Sequence, residues 1–201
     1  MLWKKAVLAA AIGLLAAPPA LAARGDIGSS EARAYRDTDE QGAPVGCSLL
    51  FDAMRRAPPG LESPGIAFSG AFSIMKFRTS SALVVKIGAA PVRGGQIRRR
   101  YAPVQTLILP PNRNGSARDM ISNFAGEDGF MIFMFQSGPS AQSVIRQILT
   151  TGKADLVVTS EGAEGEYQVT LDLAAHSPGA DPDADNIAEW RRCIPTSART
   201  R

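Results

Sequence analysis

Two cysteines, Cys47 and Cys193, lie near the two ends of the chain that remains once residues 1–22 are set aside. A bond between them encloses most of the fold. The chain-entropy treatment assigns closure of so long a loop about 5 kcal/mol, an upper figure because native strain and residual structure subtract from it. Whether such a bond forms depends on the compartment. Disulfides persist in exported proteins and are kept reduced in the cytosol, so the N-terminus decides how both cysteines are read.

Residues 1–22, MLWKKAVLAAAIGLLAAPPALA, begin with Lys4 and Lys5, run apolar from Ala6 to Ala17 and break at Pro18-Pro19 ahead of Ala20-Leu21-Ala22. This order of basic start, short apolar run and small residues is that of a secretory signal peptide with cleavage near Ala22. The apolar run is shorter than the roughly 20 residues a spanning helix needs, and two prolines end it. The expected location is therefore periplasmic or secreted, with no integral membrane segment after cleavage. An even pair of cysteines in such a protein is expected to be bonded, Cys47 to Cys193. Losing the segment removes two lysines and no acid, which lowers the formal charge of +3 towards neutrality. The apparent basicity is mostly targeting.

Composition narrows the chemistry. With one His and two Cys in 201 residues, the chain has no set of ligands for a His/Cys zinc site or an iron–sulfur cluster, and no Ser-His-Asp triad unless His176 alone supplies the base. A hydrophobic fraction of 45% with a net charge of +3 argues for a packed core, and a length near 200 for a single domain.

Periodicity along the chain then gives the parts. Residues 23–46 are small and polar without a sustained period and read as a loosely held, flexible N-terminal arm. Cys47, Leu50, Phe51 and Met54 fall at helical spacing before Ala57-Pro58-Pro59-Gly60, which predicts a short helix. Strands are expected over Ala71–Phe77, Ala82–Ile87 and Val104–Leu109, all rich in β-formers. Ser116, with Asp119 three residues on and Met120, Ile121 and Phe124 beyond, predicts a helix stopped by Gly126. Residues 129–135, GFMIFMF, suit a strand buried on both faces.

Ser140 is expected to cap a helix whose buried face is Val144, Ile145, Ile148 and Leu149 and which stops at Gly152. After it come a strand over Asp155–Thr159, a polar turn and the strict alternation of Tyr167, Val169, Leu171 and Leu173, an antiparallel hairpin with one wet face. A last helix presents Ile187, Trp190 and Ile194 on one side, and 196–201 form a frayed tail. Residues 47–195 thus form one β-rich α+β domain, an antiparallel β-sandwich or partly closed barrel with two to four short helices.

Three patterns carry chemistry. Ser73-Ile74-Met75-Lys76 has the Ser-x-x-Lys spacing in which a lysine activates a serine; in a strand the two side chains point to opposite faces, which favours coincidence. Asp181, Asp183 and Asp185 space three carboxylates two apart, as a calcium loop does, but Asn186 and Arg192 stand where that loop needs Gly and Glu. The competing role is capping of the last helix by Asp183 or Asp185. Arg98, Arg99, Arg100 and Tyr101 form the basic cluster, a contact for an anionic component or a charged strand edge that discourages aggregation. In an exported protein nucleic acid is not the expected target.

The segment QILTTGKADLVVTSEGAEGEYQVTLDL, an amphipathic helix, a glycine stop and two strands ending in Leu-Asp-Leu, together with the exported start and the late Trp190-Arg191-Arg192-Cys193, resembles the invasion-associated locus B-like proteins of Gram-negative bacteria. That family usually places a Cys just ahead of the helix, where this chain has Gln136-Ser137-Gly138. The resemblance implies a small non-enzymatic periplasmic or surface-associated protein with no catalytic residues to transfer. The expectation is a binding or accessory protein whose partner is an envelope protein or an anionic envelope component, without a cofactor. Two alternatives stand beside it: a small envelope hydrolase using Ser73 with Lys76, or His176, and a calcium-stabilised module.

Overall fold

The computed structural model describes residues 24–25, 29–42, 44–55, 65–77, 80–93, 96–97, 102–111, 113–160, 166–174 and 185–194. In chain order these give strands β1 (Arg24–Gly25), β2 (Ser29–Thr38), β3 (Pro44–Arg55), β4 (Gly65–Lys76), β5 (Ser81–Arg93), β6 (Gln96–Ile97) and β7 (Ala102–Ile108). Helix α1 (Arg113–Asp119), β8 (Met120–Ala125), a 3₁₀ turn (Glu127–Gly129), β9 (Met131–Gln136), α2 (Pro139–Thr151), β10 (Lys153–Ser160), β11 (Tyr167–Asp172) and α3 (Asn186–Cys193) follow. No helix among the described residues is long and apolar enough to cross a membrane.

The strands form two antiparallel sheets. The larger runs β2-β3-β4-β5-β9-β8 and the smaller β7-β10-β11, with β1 added in parallel to β11. They join at one corner. Residues Ala82–Ile87 of β5 pair with β9, and then Gly88 and Ala89 pair with Pro103 and Ala102 at the start of β7. The fold is the expected β-rich α+β sandwich and not a closed barrel.

Alternation fills the space between the sheets. Cys47, Leu49, Phe51 and Ala53 of β3, Phe68, Phe72 and Ile74 of β4, Leu83, Val85 and Ile87 of β5, and Phe133 and Phe135 of β9 are all buried. They belong to one core with Ala154, Leu156 and Val158 of β10 and Val169, Leu171 and Leu173 around β11. Helix α2 adds Ala141, Val144, Ile145 and Ile148, and α3 adds Ile187 and Trp190. The helix of 139–151, its stop at Gly152 in the left-handed region (φ 67°), and the hairpin of β10 and β11 form as their periodicity predicts.

The expected bond between Cys47 and Cys193 is formed, with Cα atoms 5.8 Å apart. It holds the last residue of α3 against β3. Beside it the fully buried Trp190 indole donates from Nε1 to the Cys47 carbonyl at 3.2 Å, so an apolar anchor and a covalent link fix the same junction. At the start of α3, Asp185 accepts from the Ala188 N–H at 2.8 Å, the capping role foreseen for it.

Several expectations are corrected. Strand β9 is buried on one face only, through Phe133 and Phe135, and leaves Ile132 and Met134 half-buried. The helix predicted from Cys47 to Met54 is strand β3. The four residues that suggested it divide between the two faces, Cys47 and Phe51 inward, Leu50 exposed and Met54 half-buried. Pairing with β2 along one edge and β4 along the other satisfies the backbone groups that point to each side, and a local 3.6-residue coincidence does not compete. Within the expected arm of 23–46, Ser29–Thr38 is the outer strand that pairs with β3. The predicted helix beginning at Ser116 instead ends at Asp119, and Met120–Ala125 continues as β8.

The reason lies in what Ser116 and Asp119 do. Both are buried; Ser116 Oγ accepts the Leu109 N–H at 2.9 Å, and the Asp119 carboxylate accepts the Ser140 N–H at 2.9 Å. Asp119 thereby supplies, from another element, the cap that Ser140 was expected to provide for α2. The carboxylate also complements the positive end of that helix.

Breaking the disulfide by Cys47→Ser with Cys193→Ser is expected to lower unfolding free energy by about 3–5 kcal/mol, read from urea denaturation against the oxidised protein. Gly70→Ala is expected to cost more than about 2 kcal/mol. A Cβ there would lie 2.0 Å from the Lys86 carbonyl oxygen and 2.9 Å from Phe51 Cζ, so the β4–β5 ladder itself has to move.

Candidate functional site

The residues named from sequence do not converge. Arg98, Arg99, Arg100, Tyr101, His176, Asp181 and Asp183 lie outside the described residues, as does the signal segment 1–22. Asp185 is engaged as the α3 cap, and among the described residues no group of three or more His, Cys, Asp or Glu side chains could hold a metal ion. Ser73 and Lys76 both stand on β4, three positions apart and hence on opposite faces. The Ser73 hydroxyl meets Ser48 at 2.6 Å instead of a lysine.

What the fold does assemble is the outer face of the larger sheet. Register places residues from five strands in straight rows. One row reads Leu50 (β3), Ala71 (β4), Lys86 (β5), Ile132 (β9) and Phe124 (β8). The next reads Ser48, Ser73, Val84, Met134 and Ser122. A third, at the end of the strands, contains Gly46, Met75, Ala82 and Gln136. At the usual strand spacing each five-residue row spans roughly 19 Å.

The surface these rows make is apolar and low in charge. Ala71 and Ala82 are small enough for their neighbours to cover, Val84, Ile132 and Met134 are half-buried, and Leu50 and Phe124 stand 39% and 48% exposed at the two ends of the first row. Large apolar side chains exposed together are more informative than single ones. Lys86 is the one cation of the two upper rows between β3 and β8, the register of β2 setting Arg33 level with Leu50, and its ammonium sits over the Phe130 ring at 4.7 Å. The ring attracts the ammonium through its quadrupole and leaves the charge in place.

A line of hydroxyls crosses the same face. Ser48, only 7% exposed, donates to Asp37 Oδ2 at 2.7 Å. With its single proton committed there, Ser48 must accept from Ser73, so the order of donation runs Ser73 to Ser48 to Asp37 across β4, β3 and β2. The Ser73 oxygen is left as an acceptor on this face. Sequence reasoning marked Ser73 with the wrong partner and passed over Asp37 and Ser48. Asp37 lies 11 residues from Ser48, and Ser48 lies 25 from Ser73; only alternation in β3, once β3 is known to be a strand, could have placed Ser48 beside them.

A further charged contact among the described residues is open to solvent. The Arg113 guanidinium grips Glu166 through both carboxylate oxygens and, by that hydrogen-bonded pairing, holds the Glu166 carboxyl below its ordinary range. Both groups are open to solvent, so the clamp adds little to stability.

The hydroxyl line has a measurable consequence. In a double-mutant cycle, Ser48→Ala and Ser73→Ala are expected to couple by about 1 kcal/mol, whereas Ser73→Ala and Lys76→Ala are expected to be additive, with chemical denaturation as the readout.

Compared with known proteins, the chain matches no family, no curated protein and no solved structure.

Proposed function

We propose that this is an exported, non-enzymatic binding or accessory protein of the bacterial envelope, acting through the outer face of its larger sheet. The observation that carries the reading is the pair of rows from Leu50 to Phe124 and from Ser48 to Ser122, in which small and apolar side chains flank one ammonium and the hydroxyls of Ser73 and Ser122. Such a surface suits a protein segment that presents apolar side chains together with a carboxylate or amide, because burial supplies affinity and Lys86 and Ser73 supply orientation. The disulfide that ties α3 to β3 fits an oxidising compartment, and the sequence of residues 1–22 supplies the route there. The resemblance of 142–173 to the invasion-associated locus B-like proteins points to the same class. Arg98, Arg99, Arg100 and Tyr101 belong to the proposal as a second contact, for an anionic envelope component.

A photo-crosslinking residue at Leu50 or Val84 is expected to capture a discrete partner in intact envelopes. The same residue at Thr150, exposed on α2, is expected to capture none, and Lys86→Glu is expected to reduce capture at Leu50 several-fold. Equal capture at Thr150, or no change with Lys86→Glu, would remove the outer face from the function. Labelling of Ser73 by a serine-reactive fluorophosphonate would overturn the non-enzymatic reading in favour of a hydrolase.

A further inference from the structure

We infer that two copies of this chain pair through strand β8, which continues the six-stranded sheet of one copy into that of the other across a twofold axis. This does not depend on the function proposed above. β8 ends the larger sheet, with β9 as its only partner among the described strands. An open sheet edge presents a row of unpaired N–H and C=O groups, and proteins that stay monomeric blunt such edges with charge, proline, cover or strong distortion. The opposite edge of this sheet, β2, carries Glu31, Arg33, Arg36 and Asp37 in its sequence and has α3 packed beside it. β8 has neither device. From Met120 to Gly126 it contains no charged residue and no proline.

Its side chains are also the wrong ones for a free edge. Residues 121–125 are all exposed, and Ile121 and Phe124, at 57% and 48%, are among the few large apolar side chains exposed on the described surface. The register irregularity between Met120 and Ser122 is confined to the start of the strand. Ser122 to Ala125 keep a regular ladder with β9, and it is this stretch that offers its other edge.

Charge identifies the occupant. Arg118 stands exposed just before β8, and Glu127 and Asp128 stand exposed just after it. A strand that is basic at its N-terminal end, acidic at its C-terminal end and uncharged between them is complementary to itself in the antiparallel direction. With Asn123 on the twofold axis, Arg118 of one copy faces the end carrying Glu127 and Asp128 of the other, at both ends of the pair. An isologous contact of this kind closes on itself and gives a dimer, not a fibre. It also brings the two outer faces, each ending in Phe124, together as one surface.

Sedimentation velocity of the disulfide-bonded protein purified after export, over about 5 to 200 µM, is expected to show a reversible monomer–dimer equilibrium that weakens as ionic strength rises. Phe124→Lys is expected to raise the dimer dissociation constant at least about tenfold, with a far-ultraviolet spectrum unchanged from the parent. Arg118→Glu is expected to weaken the dimer, and combining it with Asp128→Arg to restore it. The restoration tests the site even if Phe124→Lys perturbs β8 itself. A strict monomer across the concentration range overturns the proposal, as does a dimer indifferent to Phe124→Lys and to both charge reversals.

Discussion

Strand β5 is the constraint on which the rest of the architecture depends. Along one edge it pairs with β4 from Ser81 to Val92 without interruption. Its other edge is shared, given to β9 as far as Ile87, to β7 at Gly88 and Ala89, and to β6 at Val92 and Arg93. A strand edge can serve one partner at each position, so the change of partner separates the strands that follow into two sheets. Gly88, Ala89 and Ala90 lie at the change of partner, where small side chains let the chains approach. The core of phenylalanines and aliphatic residues is what those two sheets enclose.

The helices contribute to the same core. α2 packs on β10 and α3 on β2 and β3, and each is held by a contact that its own sequence does not contain. Asp119 caps α2 from the end of α1, and the Cys47 carbonyl receives the Trp190 indole of α3. The disulfide beside Trp190 makes the second junction covalent. Capping by a distant carboxylate satisfies a helix terminus as well as a local one, which is why Ser140 is free of the role its position suggested.

Legibility in the sequence followed how local each signal was. α2 and the β10–β11 hairpin were readable because an amphipathic period, a glycine stop and a strict alternation are all written within a dozen residues. β2, β3 and β8 were not. Ser29–Thr38 is polar and becomes a strand because β3 presents an edge to it. Cys47, Leu50, Phe51 and Met54 satisfy a helical period by accident, and two flanking strands override it. The outer-face rows were beyond reach for the same reason, since Leu50, Lys86, Ile132 and Phe124 become neighbours only through the registers of four separate strand pairs.

By itself the sequence determined that this chain would be β-rich and single-cored, and that its two cysteines would meet, because composition, period and an even cysteine pair are properties of the chain before it folds. Tertiary structure alone decided which side chains of different strands lie level and which polar groups meet. The same serine at position 73 reads as half of a Ser-x-x-Lys pair in one dimension and as the first donor of a line ending at Asp37 in three. Side chains three apart on a strand are held on opposite faces, whereas side chains level with one another on paired strands lie about 5 Å apart, however far separated along the chain.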